Sequence, residues 1–194
     1  MTLLLVRHGE SIWNAERRLQ GQVDVPLSDR GRMHVRALRR LVAHYEPERA
    51  VTSDLARARE TAALLGFADA TVDVRWREAH LGLWQGQGIE GLRRDDEARY
   101  AAWRAGEVTP EAGEPWAEVC ARITSAVREL GAGNVLVVTH GGPIRAVCAT
   151  LLELAPRSLV PVSPASLTIV DLDGRPRLRA FNLTAYEDDA EPPD

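Results

Sequence analysis

The sequence predicts an α/β fold: a three-layer α/β/α sandwich whose mostly parallel central sheet carries a hairpin at one edge. Three observations predict it. Buried strand segments alternate with helical segments, two of those strands run into a His-Gly pair, and Asp173-Gly174 separates two strand-like runs.

Thr2 to Arg7 reads as a buried strand, because Leu3-Leu4-Leu5-Val6 is an unbroken apolar run, and it ends at His8-Gly9. A helix starts near Ser28, and Leu38, Leu41, Val42 and Tyr45 form its apolar stripe. Arg49 to Thr52 is a short strand. Ser53 or Asp54 then caps a helix that runs through Leu65 and stops at Gly66. Residues 71–76 read as another strand, followed by a glycine-rich loop from Gly82 to Gly91. Residues 92–105 read as a poorly amphipathic helix, 106–115 as a loop, and 116–130 as a helix ended by Gly131.

Asn134 to Thr139, with Val135-Leu136-Val137-Val138 as its apolar centre, reads as another buried strand, and it enters His140-Gly141-Gly142-Pro143. Pro143 suits the first turn of the next helix. Ser166–Leu172 and Arg177–Leu183 are the arms of the hairpin. No internal repeat or interior linker divides the chain, so residues 1–186 are expected to form one domain. Residues 187–194, acidic and ending Pro192-Pro193-Asp194, are expected to be a disordered tail.

Composition narrows the function. Apolar residues make up 45% of the 194 and charged residues 27%, values that argue against wholesale disorder. No apolar run approaches the roughly 20 residues that cross a bilayer, and no basic, apolar leader opens the chain. A cytoplasmic location is the expectation. All 24 basic residues are Arg, so every cationic contact comes from a planar, permanently charged guanidinium. The net charge of −4 is concentrated in the acidic tail, which leaves the body close to neutral. With no basic block, neither nucleic acid nor a membrane surface is expected as a partner. Cys120 and Cys148 lie at helical spacing among apolar residues and read as buried thiols.

In such a sheet, reactive groups gather where strands end and helices begin. Arg7-His8-Gly9-Glu10, Ser53 to Arg57, and Thr139-His140-Gly141-Gly142 all have that position, and they bring two His and two Arg to one rim. Gly9 and Gly141 leave room for a ligand to approach the backbone. Each residue also has a plainer reading. Arg7 and Arg57 could pair with Glu10 and Glu60, and Glu78 could be a surface carboxylate. Trp13 and Trp84 could line a pocket mouth or simply pack. His34, His44 and His80 read as structural or solvent-facing.

Arg7-His8-Gly9-Glu10-Ser11-Ile12-Trp13-Asn14 resembles the signature of the histidine phosphatase (phosphoglycerate mutase-like) superfamily. Matching segments follow in the family's order: Asp24-Val25-Pro26-Leu27 through Gly31, Ser53 through Ala62, Glu78 through Gly86, and Thr139 through Gly142. The resemblance implies that His8 is the nucleophile and Glu78 the proton donor, with His140 a further cationic group when protonated. Arg7, Arg57, Asn14 and Gly141 would hold the phosphate. It implies a phosphomonoesterase acting on a small phosphorylated metabolite through a phosphohistidine, without metal or other cofactor, and makes a homodimer plausible. Gln85 and Glu114-Pro115 depart from the family's usual Glu and Glu-Ser.

Other classes of function are weaker on the same residues. A phosphoglycerate mutase would use the same phosphohistidine. A metallohydrolase built on His8, His140 and Glu78 lacks a His-Glu-x-x-His or Cys/His ligand pattern. An inactive phosphate-binding module would be marked by loss of the nucleophile, an Arg or the acid, and all are present.

Overall fold

The computed structural model describes residues 1–186. Six strands form one sheet: β1 (Thr2–Arg7), β2 (Arg49–Thr52), β3 (Thr71–Val72), β4 (Asn134–Thr139), β5 (Ser166–Asp171) and β6 (Arg177–Thr184). Their order is β3-β2-β4-β1-β5-β6. The first four are mutually parallel, while β5 runs antiparallel to β1 and β6 antiparallel to β5. This is the expected mostly parallel sheet with an edge hairpin.

Alternation along the strands separates two cores. Leu3, Leu5, Val135 and Val137 face one side, against Val119 and Ile123 of α5 (Trp116–Arg128) and Ile144 and Val147 of α6 (Gly141–Leu151). Leu4, Val6, Leu136 and Val138 face the other. They meet Val35 and Leu38 of α2 (Asp29–His44) and Ala58 and Ala62 of α3 (Ala56–Leu65). The helix layers therefore sandwich the sheet. A smaller cluster of Leu19, Leu81, Ile89 and Tyr100, with Trp84 and Trp103 packed on it, lies under α4 (Ile89–Arg104). A four-residue helix, α1 (Ile12–Ala15), completes the set and was not expected.

Several expected boundaries move. The N-cap of α3 is Leu55, without a side-chain cap; the Ser53 hydroxyl accepts the Leu55 N–H at 3.3 Å and lies 3.0 Å from His140 Nε2. The strand expected over 71–76 stops at Val72; Asp73 accepts the backbone N–H of Arg75 at 2.9 Å and starts a 3-10 turn over Val74–Trp76. The loop expected to Gly91 ends at Gly88, where α4 begins early and then kinks at Asp96 (φ −158°, ψ 84°). Cys148 is buried, but Cys120 is only half-buried. Ser28 does cap α2, accepting the Gly31 N–H at 2.9 Å, and Gly66 ends α3 in the left-handed region. The expected tail lies outside the described residues. Among those described, no helix is long and apolar enough to cross a membrane.

Candidate active site

Because β1, β2 and β4 are parallel, their C-terminal ends share one edge of the sheet. Arg7 pairs with Thr139, so the next residues, His8 and His140, stand side by side with ring centroids 5.0 Å apart. The backbone of His8 is held from both flanks: its N–H donates to Thr139 O at 2.9 Å, and its carbonyl accepts from Ala165 N at 3.0 Å.

The tautomer of His8 follows from its partner. Nδ1 lies 2.7 Å from the Gly9 carbonyl, which can only accept, so Nδ1 carries the proton and Nε2 keeps its lone pair. Arg57 donates its Nε–H to that lone pair at 3.2 Å. Burial, reinforced by the charges of Arg57 and Arg7, holds the His8 pKa well below its ordinary value. The ring is neutral.

Arg57, only 1% exposed, fixes its other nitrogens on backbone: Nη1 donates to Val23 O at 2.8 Å and Nη2 to Gly21 O at 2.7 Å. Burial lowers its pKa to about 10, which still leaves it charged at neutral pH. Arg7 is equally buried and donates to the carbonyl of Val162. The alternative ion pairs are taken by others, Glu10 by Arg30 and Glu60 by Arg32.

His140 caps α6 and is completely buried. Its Nε2 lies 3.0 Å from Ser53 Oγ, and its Nδ1 has no hydrogen-bond partner among the described residues. Burial and then Arg57 push its pKa well down, which favours a neutral His140 rather than a third cation. Asn14 is 1% exposed. Its Oδ1 accepts from Ser11 N and Oγ at 3.1 and 3.2 Å, and its Nδ2 has no hydrogen-bond partner among the described residues.

Glu78 sits at the positive end of α6, accepting from Gly142 N at 3.2 Å and from Ala79 N at 2.8 Å. A Cβ on Gly142 would stand 2.1 Å from Glu78 Oε1, so a side chain here would push that carboxylate out of place. Gly141 has no such constraint, since its Cβ would meet Arg7 at 3.9 Å. Gly9 is required by packing instead: a Cβ there would lie 2.7 Å from Val35, so its role is contact with α2 rather than ligand approach.

Arg122, which lies in no recognisable motif, holds the Glu78 segment. It donates to the carbonyls of Arg75, Arg77 and Glu78 at 2.6, 2.8 and 3.3 Å and grips Glu114 with two nitrogens at 2.6 and 2.9 Å. Glu114 thus makes its polar contact despite the following Pro115. Gln85 turns its Oε1 to the Gln22 N–H at 2.9 Å.

Arg7, His8, Arg57, Glu78 and Gly141 line one cavity; Asn14 and His140 are not in its wall. The same cavity is lined by Arg104, Arg145, Trp103 and Trp116. Arg93 pairs with Glu97 and Arg94 with Asp95, Arg99 lies over Trp84, and Tyr100 packs in the small apolar cluster. Trp13 lies under Arg18, and Trp84 packs against Trp103, so neither is in the cavity wall.

Fold and site together define an α/β protein that gathers two buried histidines and two buried arginines where parallel strands end. The family model for the histidine phosphatase superfamily (branch 1) matches residues 3–184, and the chain belongs to that superfamily. It is similar to the glucosyl-3-phosphoglycerate phosphatase of Mycolicibacterium vanbaalenii, 40% identical over 78% of this chain and 74% of that one. It is also similar to the 2,3-bisphosphoglycerate-dependent phosphoglycerate mutase 2 of Gloeobacter violaceus, 37% identical over 81% of this chain and 78% of that one. A solved mycobacterial glucosyl-3-phosphoglycerate phosphatase superposes with a TM-score of 0.86 at 35% identity, covering 93% of this chain and 98% of that one. The chain is a phosphomonoesterase of this superfamily.

Proposed function

We propose that this enzyme hydrolyses its phosphomonoester through a phosphohistidine formed on His8 Nε2. The observation that carries the reading is the neutral His8 ring, its Nδ1 proton committed to Gly9 and its Nε2 lone pair facing Arg57. A neutral imidazole beside two buried guanidiniums is what attack on a phosphate dianion requires, because the cations stabilise the oxygens while the nitrogen stays nucleophilic. When phosphate arrives, the Arg57 Nε–H transfers from the lone pair to a phosphate oxygen. Arg7 and the Nδ2 of Asn14 supply further donors, and the phosphate charge favours protonation of His140.

In the first step the N–P bond forms as the P–O bond to the alcohol breaks, and Glu78 gives its proton to the departing oxygen. Water then attacks phosphorus, the N–P bond breaks, and Glu78 takes the water's proton back. Rapid quenching with a radiolabelled phosphomonoester tests the intermediate. An acid-labile, base-stable phosphoenzyme absent from His8→Ala is expected; a phosphoserine or phosphoaspartate would refute the assignment. Hydrolysis is favoured over mutase transfer because the chain superposes closely on a solved phosphatase over nearly its whole length.

A further inference from the structure

Ser53 is completely buried beside the catalytic histidines, but it has no part in the phosphoryl transfer described above. It stands where β2 ends. Thr52 pairs with Val138 of β4, two residues before His140, and the Ser53 N–H donates to Val138 O at 3.0 Å. The parallel pairing that seats Ser53 thus brings its hydroxyl to 3.0 Å from His140 Nε2. That hydroxyl oxygen also accepts the Leu55 N–H at 3.3 Å.

The proton positions follow from what each atom can do. A serine hydroxyl has one hydrogen and two lone pairs. Leu55 takes one lone pair, and among the described residues the acceptor beside the hydrogen is His140 Nε2. If Nε2 of the neutral ring carried the proton, it would donate to Oγ instead. The hydroxyl hydrogen would then lack an acceptor and Nδ1 would be a lone pair without a donor. Those are two unmet polar groups in a pair fully closed to water. With the Ser53 O–H donating to Nε2, a single group is unmet, the Nδ1–H of His140. Burial and then Arg57 favour the neutral ring to which this accounting applies.

We propose that Ser53 is a positioning residue: by donating to Nε2 it fixes the proton of His140 on Nδ1, and so keeps a buried N–H donor ready for an anion at His8, whose ring centroid is 5.0 Å away. The proposal rests on the phosphohistidine reading for the place of that anion, whereas the tautomer is a property of the protein without substrate. Which nitrogen of a histidine carries the proton is set by the bond that the other one makes. Gly9 sets it for His8 through Nδ1, and Ser53 sets it for His140 through Nε2. Both rings then carry their proton on Nδ1, yet one offers a lone pair and the other a donor. Without the hydroxyl, the second tautomer of His140 would turn a lone pair towards phosphate oxygens that repel it.

Long-range proton–nitrogen NMR of the imidazole rings reads the tautomer without turnover, with His140 assigned by its absence from His140→Asn. In the wild type the unprotonated nitrogen of His140 should be Nε2. In Ser53→Ala the Nδ1–H tautomer should cease to dominate. The kcat/KM for p-nitrophenyl phosphate should fall about 10–100-fold, the scale on which outer-shell partners of histidines act, and inorganic phosphate should inhibit correspondingly more weakly. Ser53→Thr keeps the hydroxyl and should restore both the tautomer and the rate. A wild-type His140 protonated on Nε2 would overturn the proposal, even if Ser53→Ala fails to fold. An unchanged tautomer in Ser53→Ala, or unchanged kinetics, would overturn it as well, and so would a folded Ser53→Thr that restores neither. Absence of a phosphoenzyme in the quench experiment would instead remove the His8 reading, and the tautomer would still decide the role of Ser53.

Discussion

The Nε–H of Arg57 points at the Nε2 lone pair of His8 across 3.2 Å, while Gly21 and Val23 hold the other two guanidinium nitrogens by their carbonyls. On the reading proposed above, the group that would bind phosphate thus also faces the nucleophilic nitrogen. Its anchoring at two further points means that the charge arrives pre-positioned rather than being recruited by substrate.

Lysine cannot reproduce that geometry, since it is a single point charge without a planar fork. Arg57→Lys should lower kcat by about 10²–10³-fold, the scale seen when one preorganised donor is lost from an anion site. It also leaves the carbonyls of Gly21 and Val23 short of donors, which costs about 1–3 kcal/mol for each buried group. Steady-state kinetics and urea unfolding read the two effects separately. Wild-type kcat in the lysine variant would refute the preorganisation argument.

Both histidines titrate well below their ordinary value, and this has a kinetic and a thermodynamic consequence. Protonating His8 removes its lone pair, so kcat/KM should persist into mildly acidic buffer and fall as pH drops through the depressed His8 pKa. For stability, the unfolded chain takes up protons at these two residues below about pH 6.5, while the folded chain does not. Stability is therefore fully present above that pH and declines beneath it, by up to about 1.4 kcal/mol per unit for each histidine. Thermal unfolding followed from pH 8 to pH 5 should show the decline, and His140→Asn should reduce it. An identical pH dependence in that variant would count against a buried neutral His140.

Glu78 offers a leaving-group test. An alkoxide needs a proton to depart and a nitrophenolate does not, so Glu78→Gln should damage alkyl phosphate hydrolysis at least ten times more than p-nitrophenyl phosphate hydrolysis. Gly142→Ala should reproduce that selectivity in weaker form, because its methyl group would displace the Glu78 carboxylate. Arg122→Gln should do likewise by releasing the segment that carries Glu78. Equal losses on both substrates would take Glu78 out of the acid role.

The positive field in the cavity comes from the guanidiniums of Arg7, Arg57, Arg104 and Arg145. Activity should therefore survive prolonged chelation, and added magnesium or zinc should not raise it. Loss on chelation with recovery on adding metal would revive the metallohydrolase reading of His8, His140 and Glu78.

The parts of the site carried by strand ends were legible in the sequence. Unbroken apolar runs mark β1 and β4, and their parallel pairing places His8 beside His140. Arg57 was legible because its segment follows β2 directly. What could not be read was convergence from a distance. Arg104 and Arg145 lie 41 residues apart at the end of one helix and within another, and nothing local to either announces the shared cavity. Arg122 acts through backbone carbonyls, which leave no trace in side-chain patterns. Gly141 lines the cavity as its motif suggested, whereas the constraint on Gly142 comes from the position of Glu78, 64 residues away in sequence, and could not be read locally.

The fate of the phosphohistidine separates a phosphatase from a mutase, and the described residues include little with which to protect it. A mutase must keep its intermediate bound while it reorients, with water excluded by a lid. Between Gly86 and Glu114 lie only 27 residues, and α4 takes 16 of them, leaving short connections rather than a cover. The terminal acids Glu187, Asp188, Asp189, Glu191 and Asp194 would set like charges against a bound bisphosphate. Water should therefore reach the phosphoenzyme faster than a second alcohol does. Incubation with 3-phosphoglycerate and 2,3-bisphosphoglycerate, followed by quantification of 2-phosphoglycerate and free phosphate, measures the partition. Phosphate release should dominate, and isomerisation faster than phosphate release would make transfer the principal reaction of His8.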